Sequence, residues 1–141
     1  MNNEATFEDC FNMLCGDRIG QGVHRTVYAC KIRPDLVVKV ENQEMRYFAN
    51  VMEDKFWTDH VHRKEVSKWL APIEFLSPDG RLLLMKRVRP LHETDKLPDR
   101  LPGFLTDLKR ENFGWLDGRL VCVDYAFTIP NPSIRLRKVH W

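Results

Sequence analysis

Residues 106–125 read TDLKRENFGWLDGRLVCVDY, a polar segment followed by two apolar runs. An Asp-Gly pair at 117–118 stands between two apolar runs. Both central positions of a type I′ turn need positive φ, which Asp-Gly favours, so the stretch predicts a β-hairpin. We expect Asp107 and Asn112 on a loop before this hairpin. The returning strand then carries Asp124 back toward that loop.

The three polar residues of this stretch offer oxygen atoms at a spacing of five and twelve residues. Asp107 and Asp124 carry carboxylates, and Asn112 carries an amide. A hard cation such as Mg²⁺ takes oxygen ligands in near-octahedral geometry and shares them with phosphates in nucleotide sites. The spacing therefore indicates phosphoryl chemistry. Taken singly, the same residues could be a helix cap, a turn former and a strand end.

This segment resembles the protein-kinase and small-molecule-phosphotransferase superfamily, whose catalytic loop reads H-R-D-x-x-x-x-N and whose metal motif reads D-F-G. Residues 107–112 match the D-L-K-x-x-N core of that loop, and residues 123–126, VDYA, are similar to a degenerate D-F-G. The resemblance implies that Asp107 accepts the proton of an attacking hydroxyl. It also implies that Asn112 and Asp124 hold Mg²⁺.

A glycine-containing segment near the N-terminus extends the resemblance. Residues 18–28 follow the pattern G-x-G-x-x-G-x-V, with Arg25 in place of the third glycine. Glycine lets backbone N–H groups approach phosphates with no Cβ in the way. The resemblance implies that Gly20 and Gly22 contact the phosphates of ATP and that Val27 covers the base. The alternative is an ordinary hairpin turn.

Lys39 is the single cation inside the apolar run 36–40. A lysine is rarely buried on a strand without a partner for its charge. By resemblance to the V-A-I-K motif of kinases, Lys39 clamps the nucleotide phosphates and pairs with a carboxylate of the next helix. Glu44, at the expected helix start, is the first choice for that carboxylate, and Glu53 is the alternative. On an edge strand, Lys39 would instead extend its ammonium group into water.

A helix and a second hairpin are expected between Lys39 and the catalytic loop. Asn42 is typical of an N-cap, and apolar residues follow it at i, i+3, i+4 and i+7. This stripe consists of Met45, Phe48, Ala49 and Met52. Apolar segments at 69–76 and 81–88 flank the turn residues 77–80 and predict a hairpin. The resemblance places Met85 near the adenine edge.

These elements predict an α+β protein with one domain over residues 1–141. Residues 1–88 correspond to a kinase-like N-lobe with a twisted antiparallel sheet and a flanking helix. Residues 89–141 supply the hinge, catalytic loop, metal-binding hairpin and a C-terminal strand. Phe7, Cys10, Phe11 and Leu14 fall on one helical face and predict an N-terminal helix packed on the sheet.

Departures from the family pattern indicate a truncated catalytic lobe. Leu105-Thr106 replaces His-Arg, Tyr125-Ala126 replaces Phe-Gly, and only eighteen positions separate Val88 from Asp107. The resemblance is therefore to minimised kinase-like proteins of bacterial or phage origin. The C-lobe normally carries the surface that docks a protein substrate, so the resemblance does not specify the acceptor.

Composition limits the setting and the partners. No run approaches the eighteen apolar residues of a membrane span, and the first residues are unlike a signal peptide, so we expect a cytoplasmic protein without a membrane partner. The chain has 22 basic and 20 acidic residues, a net charge of +2, which disfavours nucleic acid. The basic and apolar alternation at 134–141 is interpreted as a half-buried terminal strand rather than a nucleic-acid site.

Two functional classes follow from these observations. The first is a kinase-like protein that binds ATP and Mg²⁺ and transfers phosphate to an acceptor hydroxyl. The second is a catalytically inactive kinase-like module, or inhibitor, that docks on a larger protein partner. Loss of the third glycine, of His-Arg and of Phe-Gly favours the second class. Retention of Lys39, Asp107, Asn112 and Asp124 favours the first.

Overall fold

The structure, a computed structural model, describes residues 3–42 and 48–141, with side chains from residue 7 onward. The described chain is α+β, as predicted from sequence. Its elements are α1 (Asn3–Leu14), β1 (Cys15–Gln21), β2 (Arg25–Cys30), β3 (Leu36–Glu41), α2 (Ala49–His60), α3 (Lys64–Ser67), β4 (Ile73–Leu76), β5 (Leu82–Lys86), β6 (Arg89–Pro90), β7 (Arg100–Pro102), a 3₁₀ turn (Arg110–Asn112), β8 (Phe113–Leu116), β9 (Arg119–Cys122) and β10 (Leu136–Lys138).

The chain divides into two compact units that interleave along the sequence. The first unit consists of Met1–Val51 and Ile73–Arg87, and the second consists of Met52–Pro72 and Val88–Trp141. The boundaries cross helix α2 and the linker before β4. Each unit carries part of the residue set predicted for nucleotide binding.

A five-stranded antiparallel sheet forms the first unit, in the order β1-β2-β3-β5-β4. The predicted hairpin at 77–80 is confirmed, because β4 and β5 pair on either side of it. Gly80 closes this turn with a φ of 75°, a value that glycine adopts without steric cost. The strand before the turn begins at Ile73, later than the sequence pattern predicts.

Helix α1 and one face of the sheet form the core of the first unit. Leu36, Val38 and Leu82 alternate with residues of the other face and are at most 3% exposed. Because side chains on a strand point alternately to its two faces, these residues share one side of the sheet. The predicted apolar face of α1 packs against them, which confirms the N-terminal helix. The helix residues concerned are Phe7, Cys10, Phe11 and Leu14.

The stripe predicted for the next helix is wrong. Phe48 has a φ of +52° and lies outside α2, which begins at Ala49. Phe48 is 66% exposed and Met52 is 41% exposed, whereas Ala49 is fully buried. The helix therefore presents a different face from the one inferred from the apolar period. Glu44 and Met45 of the prediction lie outside the described residues.

The second unit contains the predicted Asp-Gly hairpin. Strands β8 and β9 pair antiparallel around Asp117 and Gly118, whose φ values are 50° and 77°. Two consecutive positive φ values are the requirement of a type I′ turn, and they confirm this prediction. Strand β6 pairs with the other edge of β8. Phe56, with aromatic neighbours at 104 and 125, forms the nearby core.

The C-terminal strand differs from its prediction. Strand β10 pairs with β7 alone in a two-stranded sheet, and all three of its residues are exposed. Leu136 is 49% exposed, so the interpretation of residues 134–141 as a half-buried strand is wrong. The alternation of apolar and basic residues indicates a strand correctly, but it does not tell how much of either face is covered. Among the described residues, no helix has the length and apolar character needed to cross a bilayer.

Candidate functional site

Four of the residues predicted to contact the nucleotide share one face of the five-stranded sheet. Gly20 lies opposite Val27, and Val27 lies opposite Lys39. Lys39 in turn lies opposite Leu83, two residues before Met85. Residues that face each other in an antiparallel pair, and residues two apart on a strand, point to the same side. This set therefore lies on the face opposite α1.

Lys39 is a buried cation on a central strand of this sheet. It is 4% exposed, and strands β2 and β5 pair with β3 on either side of it. The alternative of an edge-strand lysine that reaches into water is excluded by this position. Desolvation disfavours a charged ammonium, so a lysine retained here needs anionic or polar partners.

The glycines at the tip of the first hairpin have no conformational requirement for glycine. Neither Gly20 nor Gly22 has a positive φ. A Cβ added to Gly20 would meet Val27 at 3.8 Å, and one added to Gly22 would meet the carbonyl oxygen of Arg25 at 3.8 Å. These are ordinary van der Waals distances. The fold therefore accepts alanine at both positions, and the backbone N–H of Gly22 donates to the carbonyl oxygen of Arg25 at 2.8 Å.

Arg25 occupies the third glycine position of the pattern, and the structure gives it a different role. Its side chain is 7% exposed and donates a hydrogen bond from Nη1 to Oδ1 of Asn50 at 3.2 Å. Asn50 is fully buried and directs Nδ2 at the carbonyl oxygens of Lys39, Gly80 and Arg81, at 3.0–3.1 Å. Arg25 and Asn50 thus join the start of α2 to the strand that carries Lys39.

The backbone amide of Asn50 also donates to the Glu41 side chain. Sequence reasoning missed this group of contacts, because Asn50 follows no motif. Its one signal is a polar residue at a helix start beside Ala49. That signal is common at helix termini and does not by itself indicate burial.

In the second unit, the loop with Asp107 and the 3₁₀ turn with Asn112 are joined directly. Asn112 is 7% exposed and donates from Nδ2 to the backbone carbonyl oxygen of Asp107 at 3.2 Å. This bond uses the amide N–H and leaves the amide oxygen of Asn112 as the atom that could face a cation. The side chain of Asp107 is exposed. Both positions agree with a loop that precedes the hairpin, as the sequence predicts.

Asp124 follows β9, next to the same turn. The backbone N–H of Val123 donates to the carbonyl oxygen of Asn112 at 2.8 Å, so Asp124 comes one residue after a direct link to that turn. The structure therefore brings the segments of Asp107, Asn112 and Asp124 together within one unit. Asp124 is exposed.

Glu53 holds the residue that follows Asp124. It is fully buried, and its Oε2 accepts a hydrogen bond from the backbone N–H of Tyr125 at 2.7 Å. The phenol of Tyr125 donates to the carbonyl oxygen of Ala71 at 2.7 Å. Tyr125 stands where the family motif has Phe, and its hydroxyl and backbone are both bound. Glu53, which the sequence offered as the alternative partner of Lys39, is thus buried and fixes the segment of Asp124.

Two side chains of this unit carry oxygen atoms of the kind that Mg²⁺ binds. Over residues 3–42 and 48–141, no cluster of three or more His, Cys, Asp or Glu side chains could hold a metal ion. Mg²⁺ commonly takes one or two carboxylates and completes its shell with phosphate oxygens and water. The amide oxygen of Asn112 and the carboxylate of Asp124 are hard ligands of this kind.

Comparison with known proteins assigns no family to the chain. No protein-family model matches it, and no curated protein matches it. The functional interpretation therefore rests on the residues and their arrangement.

Proposed function

We propose that this protein has a kinase-like fold, binds ATP with Mg²⁺ and transfers the terminal phosphate to an acceptor hydroxyl. The observation that carries this proposal is Lys39, a buried lysine in register with Val27 on a central strand and on the same sheet face as Gly20 and Met85. A charged ammonium group at this buried position needs anionic or polar partners, because burying an unpaired charge costs free energy. In the proposed complex, phosphate oxygens are among these partners.

The order of elements supports the same proposal. The β1–β2 hairpin with its glycines, strand β3 with Lys39, helix α2 and the β4–β5 hairpin follow one another along the chain. The D-L-K-x-x-N loop and the Asp124 hairpin come after them. Single motifs have high false-positive rates, but an ordered set on the elements that the family requires is harder to obtain by accident.

Each group has a definite task in the proposed reaction. Lys39 neutralises phosphate charge, and the backbone at Gly20 and Gly22 approaches the phosphates. Asn112 and Asp124 would hold Mg²⁺, which would offset the negative charge of the phosphates. Asp107 takes the proton of the acceptor hydroxyl. The oxygen of that hydroxyl bonds to the terminal phosphorus, and the bond between this phosphorus and ADP breaks. Positioning and electrostatics supply most of the acceleration in such a reaction.

The second candidate is a protein that keeps the nucleotide site but does not turn over. Leu105 and Tyr125 replace motif residues, and both are buried and serve the local packing. Such a protein binds Mg-ATP without transfer. Nucleotide binding is therefore tested first, and transfer second.

The binding experiment is isothermal titration of ATP in the presence of Mg²⁺ against wild type, Lys39→Met and Asp124→Asn. We expect each substitution to weaken binding by about ten- to one-hundredfold, the range for one charge-assisted interaction. Lys55→Met and Asp117→Asn are matched controls, because both residues are exposed and asparagine also tolerates the positive φ at 117. Circular dichroism checks that each variant is folded.

The double variant Lys39→Met/Asp124→Asn tests whether Lys39 and Asp124 act on the same ligand. Their effects on ATP affinity should be non-additive if both act on the same bound phosphates. Absence of binding heat for the folded wild type would refute nucleotide binding. If ATP binds, radiolabel transfer to added protein or small-molecule hydroxyls decides between the two candidates, and transfer that Asp107→Asn leaves unchanged would remove Asp107 from its role.

A further inference from the structure

Strand β10 has a free edge in the described part of the chain. It pairs antiparallel with β7, with Leu136, Arg137 and Lys138 opposite residues 102, 101 and 100. The carbonyl oxygen of Arg135 accepts a hydrogen bond from residue 103, and the N–H of Val139 donates to residue 99. Backbone groups alternate in direction along an antiparallel strand, so those of Leu136 and Lys138 point away from β7.

Four basic side chains lie on or beside the two paired strands, one on β7 and three within residues 135–138. Arg100, Arg135, Arg137 and Lys138 are all exposed. Within residues 3–42 and 48–141, none of the four forms an ion pair or a side-chain hydrogen bond. Asp99 is the one acidic residue within the paired segments 99–103 and 135–139. The local charge of the two segments is therefore four basic residues against one acidic residue, although the whole chain carries only +2.

An apolar side chain, that of Leu136, lies among these charges. Leu136 is 49% exposed, on the same face as Lys138, while Arg135 and Arg137 share the other face. Charged side chains alone can protect an edge strand from non-specific pairing. An exposed leucine at the centre of the strand makes pairing with another strand more favourable, because it offers that strand an apolar contact.

We propose that the free edge of β10 binds an extended, acidic polypeptide segment, which adds to the β7–β10 sheet as a third strand. The outward backbone groups of Leu136 and Lys138 would pair with the backbone of this segment, as in other cases of strand addition. Opposite-charge pairs across neighbouring strands stabilise a sheet, so acidic residues belong opposite Arg135, Arg137 and Lys138. This inference goes beyond the proposed function and does not depend on nucleotide binding.

Charge complementarity and backbone geometry together favour a polypeptide over a nucleic acid. A polyanion of any kind would be attracted to the four basic side chains. Only a polypeptide strand can also satisfy the outward N–H and C=O groups of an edge strand. Single-stranded nucleic acid would use aromatic stacking, but Trp141, which follows β10, already packs edge-on against Phe113 and donates its indole N–H to the carbonyl oxygen of Pro98.

The register specifies the probe. In an antiparallel arrangement, the segment should present Glu-Glu-Val-Glu to residues 138, 137, 136 and 135 in that order. The probe is a fluorescein-labelled peptide with this sequence between threonine residues, titrated with the full chain and followed by fluorescence anisotropy. A peptide with lysine in place of each glutamate is the charge control, and an oligouridine of similar length tests a polyanion that lacks a peptide backbone.

Two independent changes test the site. The double variant Arg135→Glu/Arg137→Glu should weaken binding of the acidic peptide by about tenfold or more, because two cross-strand ion pairs become repulsive. Leu136→Pro removes one outward N–H but leaves the bonds to β7, and it should weaken binding by about fivefold, the value of one hydrogen bond. Arg119→Glu, at an exposed position of β9 outside this edge, is the matched control and should change nothing.

The outcomes separate the possibilities. Tight binding of the glutamate peptide that is lost in both variants and absent for the lysine peptide supports strand addition. Equal binding to wild type and to the double charge variant would refute the site. Loss on charge reversal together with full retention in Leu136→Pro would refute strand addition and leave only a charged surface. Tighter binding of oligouridine than of peptide would replace the polypeptide with nucleic acid as the ligand.

Discussion

The buried side chain of Asn50 connects several segments of the first unit. Its fully buried amide accepts from Arg25 and is directed at the carbonyl oxygens of residues 39, 80 and 81. A buried polar group left without a partner costs about 1–3 kcal/mol. We expect Asn50→Ala to lower the free energy of unfolding by about 3 kcal/mol, because it leaves several such groups unpaired. Urea denaturation followed by circular dichroism measures this change.

The control for Asn50 is a polar side chain of the same unit that is exposed. The exposed side chain of Gln21 accepts a hydrogen bond from exposed Arg18, and Gln21→Ala should change the free energy of unfolding by no more than about 0.5 kcal/mol. Asn50→Asp keeps an acceptor for Arg25 but replaces the amide donor with oxygen, so it should also destabilise. A loss below about 1 kcal/mol in Asn50→Ala would show that water replaces the amide at this site.

We expect Asp95 to make the stability of the second unit depend on pH. Its carboxylate accepts hydrogen bonds from the backbone N–H of His92 and the indole N–H of Trp115, both at 2.8 Å, and Arg89 lies at 3.4 Å. These donors, the His92 amide first, lower the pKa of Asp95 from 3.8 to about 2. A lowered pKa in the folded state means that the unfolded chain takes up the proton first. The stabilisation is therefore present above about pH 4 and is lost as the pH falls toward 2.

The substitution Asp95→Asn isolates this effect. The difference in unfolding free energy between wild type and Asp95→Asn should be largest at neutral pH and should shrink between about pH 4 and pH 2. Urea titrations at several pH values measure it. A difference that stays constant over this range would show that the charge of Asp95 does not contribute to folding.

The β1–β2 hairpin contains two glycines that the proposed ligand requires but that the fold does not. Gly20 and Gly22 have ordinary φ values and room for a Cβ. Alanine in a strand or turn of this kind is about 0.5–1 kcal/mol more favourable than glycine. We therefore expect Gly20→Ala and Gly22→Ala to fold with equal or higher stability. We also expect them to bind Mg-ATP about tenfold more weakly, because a methyl group obstructs the approach of phosphate to the backbone.

Gly114 provides the opposite case. A Cβ there would collide with the side chain of Val88 and lie 2.9 Å from the carbonyl oxygen of Arg89. Gly114→Ala should therefore destabilise the second unit by about 1–3 kcal/mol. Thermal unfolding and ATP titration of the three glycine variants give the comparison. Normal ATP affinity in both hairpin variants would reduce Gly20 and Gly22 to an ordinary turn.

The elements that sequence predicts best are those with local chemical signals. The Asp-Gly pair at 117–118 predicts the β8–β9 hairpin because few other residue pairs accept two positive φ values. The start of α2 could not be predicted in the same way. Phe48 adopts a positive φ that its sequence does not favour, so it lies outside the helix and cannot belong to its apolar stripe. The exposure of β10 was missed because alternation does not reveal what packs on either side.

The candidate site was predictable to the extent that spacing along the chain reflects pairing. Asp107 and Asn112 are five residues apart, so one turn joins them. Lys39 and Val27 meet across a hairpin whose register follows from its short loop. Asn50 and the contact of Glu53 with Tyr125 depend on tertiary packing between distant segments. No local pattern specifies that packing.

For the whole molecule, ligand binding should appear as a gain in stability. A ligand that binds only the folded chain raises the free energy of unfolding by about 2.7 kcal/mol at one hundred times its dissociation constant. We expect ATP with Mg²⁺ to raise the melting temperature of wild type, ATP with a chelator to raise it less, and Mg²⁺ alone to leave it unchanged, because the cation binds with the phosphates. Differential scanning fluorimetry measures all three.

The same measurement on Lys39→Met, with Lys55→Met as the control, connects the gain to the proposed site. The control should show the full rise, and Lys39→Met should show little, because RT ln(1 + [L]/Kd) falls as the dissociation constant increases. An equal rise in both variants would place the nucleotide away from Lys39. An equal rise with and without chelator would show that Mg²⁺ is not part of the complex. It would also refute the metal-binding roles of Asn112 and Asp124.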